Sequence, residues 1–146
     1  MTPSLENPLV GTWHLLEWKI SYSDDRPDSY PYGPDAIGIL VYTEDGYMSA
    51  NISAAHRPRL SGGSLRRATP EEKIAAFESN FSYAGPYRIN GHTVTHTVQH
   101  ALNPNMLGTE QVRQMAFQNN KLTLSANEVL PEAGLIRHHR LVWFKK

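Results

Sequence analysis

The feature that most limits the fold of this chain is a rhythm of short runs rich in Val, Ile, Thr, Tyr and Trp, separated by turn signals. Such side chains suit a pleated, half-buried surface, so each run is predicted to be a strand. Eight runs are present: residues 9–20, 37–43, 47–52, 81–89, 92–101, 111–118, 121–126 and 135–144. Three connections are tight. Glu44-Asp45-Gly46 predicts a three-residue hairpin loop with glycine in the left-handed position, and Asn90-Gly91 is a strong hairpin signal. Asn119-Asn120 is a weaker one, since Asn tolerates positive φ. Eight sequentially paired antiparallel strands predict an all-β, up-and-down barrel with room for packed side chains or one small ligand. A two-sheet sandwich fits the same spacing.

One helix interrupts the strands, near residues 70–80. In "TPEEKIAAFESNF", Thr69 is a predicted N-cap, Pro70 opens the first turn and Glu72 completes a capping box. Ile74, Phe77 and Phe81 recur at helical spacing, which predicts a buried face and a helix closing one barrel end. The preceding "AAHRPRLSGGSLRR" reads as a solvated basic loop. It and the polar "SDDRPDSYPYGPD" after the first run are the two candidate lids.

Composition narrows the function. A length of 146 residues suits one domain over 1–146. Fourteen basic residues balance fourteen acidic ones, which argues against a nucleic-acid partner. With no cysteine, disulfides, thiolate nucleophiles and Cys-based zinc sites are excluded. "MTPSLENPLVG" lacks the basic start and apolar run of a secretory leader, and no stretch is apolar over the roughly 20 residues of a membrane-spanning helix. A cytoplasmic protein with no membrane partner is expected. No phosphate-cradling glycine motif occurs.

The densest chemistry lies in "HTVTHTVQHALNPNMLGTEQVRQM", residues 92–115. His92, His96 and His100 are spaced by four. Valine, threonine and the preceding Asn-Gly favour strand over helix. On a strand, neighbours four apart lie about 13 Å from each other, too far to share an ion bound at about 2 Å. No metal site is therefore expected from this run. A strand places His92, Val94, His96, Val98 and His100 on the inward face. Counting back through the turn pairs Tyr87 with Val94, Gly85 with His96 and Tyr83 with Val98. Tyr83 and Tyr87 should then flank His96, and Gly85 should leave space beside its ring. In the next hairpin Arg113, Met115 and Phe117 share a face with Leu122 and Leu124. Buried histidine and arginine need partners, and so many polar groups suit a cavity better than a packed core.

Several stretches together carry a resemblance: "LVGTWHL" (9–15), "GILVYTEDGYMS" (38–49), "ATPEEKIAAF" (68–77), "YAGPYRINGHTVTH" (83–96), "NPNMLGTEQVRQ" (103–114), "LTLS" (122–125) and "LVWF" (141–144). The chain resembles the lipocalin-like domain family of small calycin-type barrels from bacteria and fungi, over nearly its whole length. The resemblance implies a ligand-binding barrel whose Gly-x-Trp tryptophan, Trp13, packs at the floor against a basic residue of a late strand. Arg140 and Arg113 are the candidates for that residue. Some related small barrels in natural-product pathways act as cofactor-free isomerases or cyclases, and some related barrels bind haem through an inward histidine. Pro86 departs from the pattern and should interrupt a ladder.

The leading expectation is a cofactor-free isomerase or cyclase acting on one small, partly apolar organic molecule. His96 is the expected acid/base, with an unperturbed pKa of about 6.5 that a cavity can shift. Tyr83 and Tyr87 orient it or relay its proton, and Arg113 stabilises an enolate, phenolate or carboxylate. The expected ligand-binding residues are Trp13, Glu17, Tyr42, Met48, His100, Asn105, Met115 and Trp143. Leu40, Tyr42, Met48 and Ala50 form the inward face of the first hairpin, and Glu17 shares the Trp13 face. The alternative is a non-catalytic carrier built on the same pocket. A histidine that stays neutral through the physiological range favours that second reading. Apolar groups on both faces of the first run leave a homodimer interface open.

Overall fold

The computed structural model describes residues 7–146. Nine strand segments build it: β1 (Gly11–Tyr22), β2 (Ile37–Tyr42), β3 (Tyr47–Ser53), β4 (Asn80–Asn90), β5 (Thr93–Thr97), β6 (His100–Ala101), β7 (Glu110–Gln118), β8 (Lys121–Leu130) and β9 (Leu135–Lys145). Helix α1 (Pro70–Glu78) lies between β3 and β4. Apart from β6, which pairs with β4, each strand pairs with the next along the chain, and β9 returns to pair with β1 at nine positions, Leu15 to Trp143 and Tyr22 to Arg137 among them. Because β6 prolongs β5 along β4, the sheet closes as an eight-stranded antiparallel barrel. The closure rules out the sandwich, whose sheets keep free edges.

Two of the three tight turns form where the sequence puts them. Gly46 has φ +96° and lets Thr43 donate its N–H to Tyr47, while Asn119 takes φ 57° between Gln118 and Lys121. The β4–β5 turn differs by one residue from its prediction. Gly91 and His92 form the loop, and Asn90 pairs with Thr93. The register moves by two, so Tyr87 stands opposite His96 rather than Val94, and the faces are preserved.

Two irregularities do change faces. On β1 the ladder to β9 runs Leu15↔Trp143 and then Glu17↔Val142, so Leu16 is an extra residue. A bulge of this kind reverses the alternation beyond it. Trp13, Leu15, Trp18 and Ile20 all point inward, and Leu16 and Glu17 point outward. The second lies between β5 and β6. Tyr87 pairs with His96, but Ala84 pairs with His100, a slip of one. Val98 is still buried, whereas His100 emerges outside beside Ser49, Asn51 and Ser82. Gly85 permits the slip, since a Cβ there would overlap the Thr97 carbonyl oxygen. The space expected beside the His96 ring is thus filled by backbone. Pro86 sits at the same break, where the β4–β5 ladder ends.

Helix α1 carries the expected capping box: Glu72 N–H donates to Thr69 Oγ1 at 3.1 Å and Thr69 N–H to Glu72 Oε1 at 2.9 Å. Its face is not buried. Ile74 is 57% exposed and Phe77 50%, because the helix ends at Glu78 and Phe81 lies on β4. Caps and side-chain hydrogen bonds hold it. Ser61 N–H donates to Glu72 at 2.9 Å, and Arg57 donates to Ser79 Oγ at 2.9 Å and to the Ala76 carbonyl at 3.0 Å.

Candidate functional site

The deepest polar group in the largely apolar barrel interior is a histidine. His96, 2% exposed on β5, has a tyrosine hydroxyl on each ring nitrogen. Tyr42 Oη lies 2.7 Å from Nε2 and Tyr83 Oη lies 2.6 Å from Nδ1. Both distances are normal for strong hydrogen bonds, one O–H···N and one N–H···O when the ring is neutral. Tyr42 reaches the ring from β2, across the barrel, while Tyr83 comes from β4, next to β5. Burial, helped by the Arg113 charge, pushes the His96 pKa down to about 3. Burial pushes Tyr83 up to about 12 and Tyr42 well above its ordinary value. The three groups are therefore uncharged across the physiological range.

A cavity of about 50 Å³ adjoins this line. Tyr83, His96, Arg113, Trp143, Trp18 and His139 contribute its polar-bearing walls, and Leu40, Ala50, Ile52, Phe81, Leu124 and Leu141 the apolar ones. Arg113 donates to the Val112 carbonyl at 3.0 Å and to Gln111 Oε1 at 3.2 Å. It forms no ion pair among the described residues. The Trp143 indole N–H, in a side chain 1% exposed, has no acceptor among the described residues. Organic-ligand pockets run to about 300 Å³ and more. A molecule of that size enters only if the aromatic cluster at the mouth gives way. There Trp18 packs at 5.3 Å on Tyr32, from the loop after β1, and at 5.3 Å on Phe81.

A second polar line sits at this mouth. The Trp18 indole donates to His139 Nδ1 at 3.2 Å, and His139 Nε2 lies 2.9 Å from Glu128. Arg137 Nε also lies 3.5 Å from Glu128. An indole only donates, so Nδ1 carries no proton and Nε2 donates to the carboxylate. That hydrogen bond holds the Glu128 carboxyl below its ordinary range.

The other expected residues divide. Tyr42, Met48 and Met115 face inward, Met48 and Met115 as packing away from the cavity wall. Tyr87 leaves the His96 line: its hydroxyl donates to the Thr43 carbonyl and accepts from Asn7 Nδ2, both at 2.8 Å, at the closed end. Trp13 lies at that same end, donating to the Leu9 carbonyl at 2.8 Å. Its basic partner is Lys145, 5.3 Å above the ring, rather than Arg140 or Arg113. Glu17 does not reach the cavity; the bulge at Leu16 turns it outward, 3.8 Å from Arg140. His100 is likewise outside, turned by the slip beyond Thr97. Asn105 sits exposed in the short turn Pro104–Met106, its N–H donating to Asn103 Oδ1 at 3.0 Å.

The cavity residues that sequence reasoning missed are Trp18, Ile52, Phe81, His139 and Leu141. A signal existed for His139, which shares alternation with Trp143 and Leu141. For Trp18 the bulge erased it. Among the described residues no cluster of three or more His, Asp or Glu is placed to hold a metal ion. With both His96 nitrogens occupied and so small a cavity, the residues present do not fit a haem. No described helix is long and apolar enough to cross a membrane. The basic loop before α1 does not line the barrel cavity; with α1 it borders a separate outer depression of about 340 Å³.

A family model described as a lipocalin-like domain matches residues 10–146. No curated protein matches the chain significantly.

Proposed function

Because the chain belongs to the lipocalin-like domain family, we infer that it binds a small organic molecule, and we propose that this molecule is partly apolar and is held rather than transformed. The observation that carries the proposal is the enclosed Tyr42–His96–Tyr83 line beside a cavity whose other walls are apolar or aromatic apart from Arg113 and His139. Such a site orients a ligand by a few polar contacts and holds it by apolar burial. Efficient acid–base work at neutral pH asks for a group that titrates near that pH. His96, held at about 3, and Tyr83, held at about 12, both sit far from it.

One observation favours a second reading, a cofactor-free isomerase or cyclase. A neutral imidazole between two hydroxyls can pass a proton from one nitrogen to the other, so His96 would relay, Tyr83 would donate and Arg113 would stabilise an enolate or phenolate. Native mass spectrometry of the protein from its own source separates the readings. A single compound carried and recovered unchanged after incubation supports the carrier. An isomer that accumulates on incubation, and ceases to do so in His96→Gln and Arg113→Gln, supports the enzyme. A chain that arrives empty and takes up no small molecule sinks both.

A further inference from the structure

We propose that the molecule held in the barrel carries an oxyanion, a carboxylate being the simplest, attached to an apolar body. This deepens the binding reading and rests on it. The argument is an imbalance between donors and acceptors around one cavity. Trp143 is 1% exposed, lines the cavity, and leaves its indole N–H without an acceptor among the described residues. Buried donors are almost always paired, and an indole nitrogen can only donate. Arg113 lines the same cavity. Its guanidinium has five N–H groups; two donate to neutral oxygens of Val112 and Gln111, and no carboxylate of the described residues pairs with it.

The histidine line adds a third donor in one of its two tautomers. A neutral imidazole brings one N–H, and the two tyrosines bring one O–H each. Two contacts use two of these hydrogens, so one hydroxyl proton is left over. Tyr83 lines the cavity and Tyr42 does not. When His96 Nδ1–H donates to Tyr83 and Tyr42 donates to Nε2, the spare proton is the one on Tyr83, free to meet a ligand oxygen. The acceptors nearby are already committed: His139 Nδ1 to Trp18, and Glu128 to His139 and Arg137.

A cationic ligand would meet the Arg113 charge with no acceptor to offset it. A ketone would satisfy the neutral donors and leave that charge unanswered. A carboxylate offers two oxygens and about four lone-pair directions, enough for all three donors and the charge. The cavity of about 50 Å³ takes such a head group, and the apolar body then lies toward Phe81 and Trp18.

The test is a fluorine NMR titration of the full chain at constant ionic strength with two matched pairs. These are trifluoroacetate against trifluoroacetamide, small enough to need little opening, and 4-fluorobenzoate against 4-fluorobenzamide. The carboxylate of at least one pair is expected to bind about tenfold or more tightly than its amide, as charge-assisted bonds to a guanidinium exceed neutral ones. Arg113→Gln should abolish that preference. Trp143→Phe keeps an aromatic ring but removes the indole N–H and the second ring; it should weaken carboxylate binding about threefold to tenfold. Equal affinities within each pair, or a carboxylate preference that survives Arg113→Gln, would overturn the oxyanion and leave the binding reading standing. Failure of all four probes to bind would remove the binding reading as well.

Discussion

His96 and His139 are bound through both ring nitrogens, yet the two sites differ in kind. His96 is 2% exposed and meets only hydroxyls, so burial, helped by the Arg113 charge, keeps it neutral and nothing nearby rewards a charge. His139 stands at the mouth, its side chain 20% exposed, with a carboxylate on one nitrogen and an indole on the other. The inner line is a structural element of the core that also faces a cavity. The mouth line is a tether between β1, β8 and β9 in partial contact with water. Identical residue types therefore contribute differently, because hydrogen-bond energy depends on what is left unpaired and how far water can replace it.

The most disruptive test attacks the backbone that places His96. Gly85→Ala puts a methyl group into the Thr97 carbonyl, where neither strand can retreat without losing ladder bonds. A loss of about 3 kcal/mol or more, or no soluble protein, is expected in urea denaturation. A fully stable Gly85→Ala variant would mean the slip beyond Thr97 is not rigid, and the contrast between His96 and His100 would lapse.

Next comes His96 itself. His96→Ala strands two tyrosine hydroxyls and opens a void, for a cost of about 3 kcal/mol. The pH dependence gives a sharper reading. The folded state keeps the ring unprotonated down to about 3, while the unfolded chain protonates it near 6.5. Its contribution is thus complete above 6.5 and is lost as pH falls toward 3, with a slope of about 1.4 kcal/mol per unit. The difference between wild type and His96→Gln, measured by denaturation at pH 7, 5.5 and 4.5, should shrink along that slope. Parallel curves would show that His96 is not desolvated.

Tyr83→Phe leaves one imidazole nitrogen without its hydroxyl and should cost about 1–2 kcal/mol in the same denaturation assay. The smallest effect is expected at the mouth. Glu128 is 46% exposed, so Glu128→Gln should change stability by no more than about 0.5 kcal/mol. Should that variant cost as much as Tyr83→Phe, the distinction between the inner line and the mouth line would fail.

Much of the barrel is visible in residue order. The eight runs, the left-handed Gly46 and Asn119, and the Thr69–Glu72 box are local features, and local sterics and hydrogen bonding suffice to predict them. Alternation also brings Leu40, Tyr42, Met48 and Ala50 to one face and Tyr83 to that of His96. It fails at Glu17, His100 and Trp18, each beyond a single extra residue. One inserted residue reverses every face after it, and no composition cue marks Leu16 as the insertion. Ile74 and Phe77 mislead in another way, since helical spacing shows which residues share a face but not whether anything covers it.

By itself, then, the sequence determined which segments are strands, where they turn and that neighbours pair in order, because each depends on contacts a few residues apart. The tertiary structure decided which side chains meet. Tyr42 and His96 are 54 residues apart, Lys145 crosses to Trp13, and β9 must close on β1 before Leu16 becomes a bulge at all. Pairing across a closed barrel is set jointly by all its strands, and only that joint register tells an inward histidine from an outward one.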